Sequence, residues 1–202
     1  MDLPVRLETK RIQKSSPKLN VLYPIVTNLP YPAIEKKING DIITHLNKML
    51  IEQGLYNENL VEIIGNYEVK TNERGILSLT LTVYSFSGGA HGLTIIQSLT
   101  FDVTTGKQYA LKDLFKPSSN YVDVLSKIIS KKIVEWDVPL LVEFTGIRPD
   151  QDFYIADHSL IIYFQIYEWT PYVYGFPYFP IAIKDIEHII RQDGPLNKML
   201  PF

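Results

Sequence analysis

Three groups of residues have types and spacings that could do chemistry. The first is Gly88-Gly89-Ala90-His91-Gly92. Three glycines in five residues allow positive φ and close backbone approach, and His91 could serve as a general base, a metal ligand or a donor to a bound group. The competing reading is a tight connection between two strands, with His91 bonded to nearby backbone. A phosphate cradle is excluded, because no Lys-Ser/Thr follows the glycines and no amphipathic helix starts after them. The second group is the carboxylates Asp102, Asp113, Asp150, Asp152 and Glu168. Glycosidase chemistry needs two of them facing across a groove, which spacing along a chain does not show. Asp150-Gln151-Asp152 after Arg148-Pro149 reads as a turn.

The third group is aromatic. Nine of the 24 Phe, Tyr and Trp fall between positions 163 and 179. On an extended strand Ile162, Phe164 and Ile166 face one way, as core. Tyr163, Gln165, Tyr167 and Trp169 face the other, with OH and NH groups that need polar partners. Pro171, Pro177 and Pro180 then interrupt regular structure, so Tyr172 to Phe179 is expected as an aromatic loop. Such a loop suits a protein interface or a sugar-stacking platform; it equally suits a flap that seals the core.

Other chemistries find less support. His45, His91, His158 and His188 form no His-x-His or His-x-x-x-His pair, so no metal site is expected. His45 reads as solvated and His158 as a turn residue. The absence of Cys removes thiol catalysis, thiolate zinc sites and disulfides. No Gly-x-Ser-x-Gly elbow occurs near Ser85, Ser87 or Ser98. No cofactor is expected. A net charge of −2 and a pI near 6.1 argue against nucleic acid or anionic lipid as a partner.

The elements that must position these residues follow from periodicity. Residues 5 to 13 alternate as a charged edge strand, and Leu19 to Val26 is a second extended run. Pro30 and Pro32 open a helix whose Ile34, Ile38, Ile42, Leu46, Met49 and Leu50 make one apolar stripe. Val61 to Asn72, then Leu77 to Tyr84 after the turn Asn72-Glu73-Arg74-Gly75, then Ile95 to Val103, read as strands. A short strand at Gln108 to Ala110 is expected after the turn Thr104-Thr105-Gly106-Lys107. Ser118 or Ser119 should cap a helix carrying Val122, Leu125, Ile129, Ile133 and Trp136 on one stripe. Phe153 to Ala156 and Leu160 to Glu168 read as a hairpin about Asp157-His158. Pro180 to Ile183 is a last strand, and Lys184 to Arg191 a short closing helix. The pattern predicts an α+β fold of two antiparallel sheets, each covered by one long helix and packed as two subdomains, 1–103 and 104–202. At 202 residues such a chain can bury about 70 % of its unfolded surface without staples.

Met1 to Glu8 holds Asp2, Arg6 and Glu8 where an export signal needs an uninterrupted apolar run, and no window reaches the roughly 18 apolar residues of a membrane span. The sequence as written therefore predicts a cytoplasmic chain without a membrane span.

The motif Tyr84-Ser85-Phe86-Ser87-Gly88-Gly89-Ala90-His91-Gly92, a strand ending in Thr105-Gly106-Lys107, and Leu111-x-Asp113-Leu114-Phe115 resemble a bacterial two-part module. Phe153-Tyr154-Ile155, Leu160 to Phe164 and Tyr167-Glu168-x-x-Pro171-Tyr172-x-x-Gly175-x-Pro177 continue the resemblance through the second half. The chain is similar to the extracytoplasmic sensor region of lysozyme-sensing anti-sigma factors. Its first half is also similar to the non-catalytic N-terminal module of peptidoglycan deacetylases. The resemblance implies a binding module, not an enzyme, with a protein such as a lysozyme, or a cell-wall glycan, as partner. It also implies an extracytoplasmic position if the chain belongs to a longer product. The expected contact residues are Gly88, Gly89 and His91 in the first half, and Tyr167, Trp169, Tyr172, Tyr174 and Phe176 in the second. The rival expectation is a hydrolase of cell-wall or related carbohydrate, using His91 with a carboxylate such as Glu168 or Asp102.

Overall fold

The computed structural model describes residues 4–201, which divide between Gln108 and Tyr109 into two compact units. Met1, Asp2 and Leu3, part of the stretch that argued against an export signal, lie outside the described residues. The fold is α+β, with a five-stranded sheet in the first unit and a three-stranded sheet in the second.

In the first unit β1 (Arg6–Lys14) and β2 (Lys18–Thr27) pair antiparallel. Helix α1 (Pro32–Glu52) then leads to β3 (Glu62–Glu73), β4 (Ile76–Phe86) and β5 (Leu93–Asp102), and the strands lie in the order β1-β2-β3-β4-β5. The expected all-antiparallel sheet is corrected here: β2 and β3 run parallel, Lys18 opposite Glu62 through Val21 opposite Gly65. The reason is the helix itself, since a crossover of this length returns the chain to the same end of the sheet and so in the same direction. Ile38, Ile42, Leu46, Met49 and Leu50 are all buried along α1, against Val21, Ile63, Leu79, Leu81 and Phe101 of the sheet core. Each contributes on the order of 1.5–3 kcal/mol from removal of its side chain from water.

After Val21 the strands β2 and β3 part, and the freed edge of β2 is closed by chemistry already in the sequence. Lys18 N–H donates to Val61 O on the β3 side, so the even-numbered residues of β2 aim their backbone groups that way. Pro24 has no N–H to leave unpaired. Val26 is met by Asn39 of α1, whose Oδ1 accepts from Val26 N–H at 2.7 Å and whose Nδ2 donates to Val26 O at 2.8 Å. Asn72 does the same for Val5, at 2.9 and 2.8 Å. The turn Arg74-Gly75 has φ of 51° and 75°, as a two-residue β3–β4 hairpin requires. The strand expected at Gln108 to Ala110 is a single bridge between Phe101 and Gln108. His45, expected in solvent, is half-buried and meets Gln108 Oε1 at 3.2 Å.

In the second unit α2 (Tyr121–Glu135) precedes β6 (Phe153–Ala156), β7 (Ser159–Tyr163) and β8 (Tyr178–Ala182), an antiparallel sheet in that order. Leu125, Ile129 and Ile133 are buried as the stripe predicts, whereas Trp136 is the C-cap and almost half exposed. Asn120, not Ser118 or Ser119, occupies the N-cap, without a side-chain cap bond; Ser119 Oγ turns back to Lys116 O instead. α2 meets the sheet along β8. Much of the remaining core comes from irregular segments, through Leu111, Phe115, Val138, Ile147, Ile186 and Ile190. β7 ends at Tyr163, five residues short of the expected Glu168, and Tyr163 is fully buried beside Ile162, so the two-faced strand predicted through Trp169 does not form. The closing helix expected at 184–191 is a 3-10 turn, Ile183–Ile186, and the last helix, α3 (Pro195–Lys198), is one turn long.

Candidate functional site

In the first unit, Gly88, Gly89 and His91 lie on the exposed connection between β4 and β5. Gly88 and Gly89 have φ of 92° and 95°, with nothing within 4 Å of where a Cβ would stand. Their glycine identity answers to backbone conformation, not to close approach. His91 Nδ1 meets Gly92 O at 3.0 Å. The roots of this loop are held from below. Gln53, buried at the C-terminal end of α1, donates from Nε2 to Val83 O (2.8 Å) and Leu93 O (3.1 Å), and its Oε1 accepts from Ser85 Oγ (2.8 Å). Asp102 lies at the far end of β5, about 30 Å from the loop by strand rise. Its Oδ1 accepts from Thr104 N–H, Thr104 Oγ1 and Thr105 N–H, so it closes its own turn. A His91–Asp102 couple is therefore not assembled.

In the second unit, Tyr167, Trp169, Tyr172, Tyr174 and Phe176 lie between β7 and β8. The segment is more ordered than a loop. Tyr172–Tyr174 is a 3-10 turn closed by Gly175 at φ 76°, and Tyr178 and Phe179, expected in the loop, belong to β8. Trp169 is half-buried, its ring 5.1 Å from Phe144 and 6.3 Å from Phe164, and its carbonyl accepts from Leu141 N–H at 2.8 Å. Tyr167 is 51 % and Tyr174 41 % exposed. The Tyr167 and Tyr172 rings lie together, centroids 5.7 Å apart, and Phe176 neighbours Tyr178 at 6.4 Å. Sequence reasoning missed three contributors to this surface: Val173, 90 % exposed at the tip, and Leu141 and Val142, exposed beside Trp169. The signal for the last two was an apolar run in a stretch with neither helical nor strand periodicity.

Polar groups hold the turn. Tyr167 has φ 69°, a conformation costly for a non-glycine residue. The residues around it are tied down: Gln165 N–H donates to Glu168 Oε2 at 2.9 Å, Glu168 N–H to Gln165 O at 3.1 Å, and Arg148 pairs with Glu168. Gln165 Nε2 donates to Asp152 Oδ2 at 3.2 Å, and buried Gln151 donates to Tyr163 O at 2.9 Å. Glu168 is thus committed to Arg148 and to its own turn. Among the described residues no group of three or more His, Asp or Glu is placed to hold a metal ion, and no helix is long and apolar enough to cross a membrane.

Burial holds the Asp152 carboxyl above the usual aspartate range, helped by Glu168 and Asp150 and opposed by the Gln165 bond and Arg148. The folded state therefore binds this proton more tightly than the unfolded chain. Its effect on stability is least favourable above the folded pKa and improves as pH falls toward 3.8. Asp152→Asn keeps an oxygen for Gln165 and removes the buried charge. We expect it to raise the melting temperature at pH 7, with the difference from the parent shrinking toward pH 4. Tryptophan fluorescence reads this unit alone, since Trp136 and Trp169 are the only tryptophans.

Residues 112–184 match the family model described as a protein of unknown function (DUF3298), and residues 12–94 match the model for deacetylase PdaC. Over 194 residues the chain is 26 % identical to the anti-sigma-V factor RsiV of Bacillus subtilis (strain 168), covering 88 % of this chain and 67 % of that protein. A crystal structure of a DUF3298 family protein from Pseudomonas aeruginosa PAO1 shares the fold, with a TM-score of 0.73 at 15 % identity over 100 % of this chain and 99 % of that one. A second, from Bacteroides fragilis NCTC 9343, gives 0.70 at 13 % identity over 96 % and 97 %. The chain resembles an RsiV-like module whose first part is PdaC-like and whose second part carries the DUF3298 pattern.

Proposed function

We propose that the chain is a binding module of the anti-sigma-factor sensor type that catalyses no reaction, and that its ligand is a protein of lysozyme type or a cell-wall glycan. The observation that carries this reading is the Tyr167–Tyr172 pair, Tyr167 exposed and Tyr172 half-buried beside it, on a left-handed backbone held by polar ties. Strained backbone maintained by surrounding structure is characteristic of recognition sites, and tyrosine pairs supply large contact area with little side-chain entropy to lose. Val173, Tyr174 and Phe176 extend the surface, and Trp169 anchors it from behind. The similarity to RsiV supports the same reading. On the first unit, the exposed backbone of Gly88 and Gly89 with His91 offers a separate polar contact surface.

Titration calorimetry with lysozyme, and separately with soluble peptidoglycan fragments, tests the proposal. We expect saturable sub-millimolar binding to one of them, weakened at least tenfold by Tyr167→Ala with Tyr172→Ala, a loss in the usual range for aromatic anchors. No binding of either, or an unaltered affinity in the double variant, overturns it.

A further inference from the structure

A second site lies at the opposite end of the five-stranded sheet from the Gly88–Gly92 loop. The start of β1, the β2–α1 connection, the Gly75 turn and the exit of β5 enclose a groove of about 520 Å³, a volume suited to a small organic ligand. Its apolar wall is made by Pro4, Val5, Leu29, Pro30, Tyr31 and Val103. Each wall is fixed independently of any occupant. Asn72 holds Val5, Glu35 Oε2 accepts from Leu29 N–H at 3.0 Å, and Val103 N–H donates to Gly75 O at 2.9 Å. Thr104 is held by Asp102. A groove so pinned loses little freedom on binding.

Among the described residues Arg6 is the one charged residue that lines the groove, and its guanidinium has no ion-pair partner. Asn28, at φ 63°, presents a carboxamide with no bonded partner among the described residues, and Tyr31 leaves a ring 67 % exposed at the rim. An uncompensated cation at the edge of an apolar cleft selects an occupant with one negative charge and an apolar body. We propose that this groove binds a small amphipathic carboxylate, with the carboxylate paired to Arg6 and the Asn28 amide and the body against Tyr31 and the proline-lined wall. An arginine fork matches that headgroup geometrically.

The probe is 1-naphthaleneacetate, with 1-naphthaleneethanol as the uncharged control, titrated into the isotope-labelled full chain and followed by NMR. We expect saturable shifts confined to Val5, Leu29, Tyr31 and Val103, with the acid at least tenfold tighter than the alcohol. Arg6→Gln should bring the two probes to within twofold of each other without altering the melting temperature, because Arg6 supports no other contact. Tyr31→Ala should weaken both probes alike. Equal binding of acid and alcohol to the parent, shifts elsewhere, or retention of the tenfold preference in Arg6→Gln overturns the proposal. So does sedimentation showing that a second copy of the chain fills the groove.

Discussion

Gln53→Leu should destabilise the first unit by about 3 kcal/mol. Leu preserves most of the volume, so the effect isolates hydrogen bonding. Three groups lose their partner together: Val83 O and the Ser85 hydroxyl, both buried, and Leu93 O, which is partly buried. Each orphaned group costs about 1–3 kcal/mol, and the sum is reduced because Ser85 can rotate and the carbonyls retain a second lone pair. Gln53→Glu should be worse still, since it brings a carboxylate against two carbonyl oxygens in a buried position. The two units can be read separately. Both tryptophans lie in the second, so the urea transition followed by far-UV circular dichroism should shift while the tryptophan fluorescence transition stays in place. A shift of less than about 1 kcal/mol in Gln53→Leu would mean that the roots of the Gly88–Gly92 loop are held by the β4–β5 ladder alone.

The same residue shows where sequence reading stopped. α1 was legible because its apolar stripe is a local property, set by the 3.6-residue period, and all five residues buried along it stand on that stripe. Gln53 ends that helix with nothing in its neighbours to distinguish it from the exposed Glu52; only the arrival of β4 and β5 makes it internal. The parallel pairing of β2 with β3 had a legible cause in the helix between them, yet Pro24 and Asn39 become informative only once the strands are seen to part. In β4 the alternation of Leu77, Leu79, Leu81 and Val83 with polar residues predicted a half-buried strand. Ser78 and Thr80 are buried as well, Ser78 bonded to Thr100 of the neighbouring strand at 2.8 Å, a pairing that alternation within one strand does not show. The aromatic cluster was visible by composition, but its division into anchors and exposed rings was not. Trp169 faces inward because Phe144, distant in sequence, is there to receive it. The end of β7 was misplaced because Gln165 and Glu168 bond to each other across a turn, a local alternative to strand that apolar alternation through Ile166 concealed.

Gly92→Ala should cost about 3 kcal/mol, whereas Gly88→Ala should cost about 1 kcal/mol, although both stand in one five-residue motif. The sequence treats the three glycines alike; the structure separates them by cause. A Cβ on Gly92 would fall 2.3 Å from Ser85 O and 2.4 and 2.5 Å from the Tyr84 ring. The main-chain neighbour cannot withdraw cheaply. Ser85 O is main chain in the last hydrogen-bonded rungs of β4 with β5, where Ser85 lies opposite Leu93. Its own side chain is fastened to Gln53, so movement there would be felt in the network under the loop. At Gly88 nothing stands within 4 Å, and the penalty is confined to placing a Cβ on a backbone at φ 92°. Asn tolerates left-handed φ better than Ala, so Gly88→Asn should recover part of the loss. No such rescue should exist at Gly92, where any side chain meets the same wall. Urea transitions of the three variants, read by circular dichroism, should rank parent, Gly88→Asn, Gly88→Ala and Gly92→Ala in descending midpoint. Equal midpoints for Gly88→Ala and Gly92→Ala would show that Tyr84 yields its place, and that Gly92, like its neighbours, serves the turn alone.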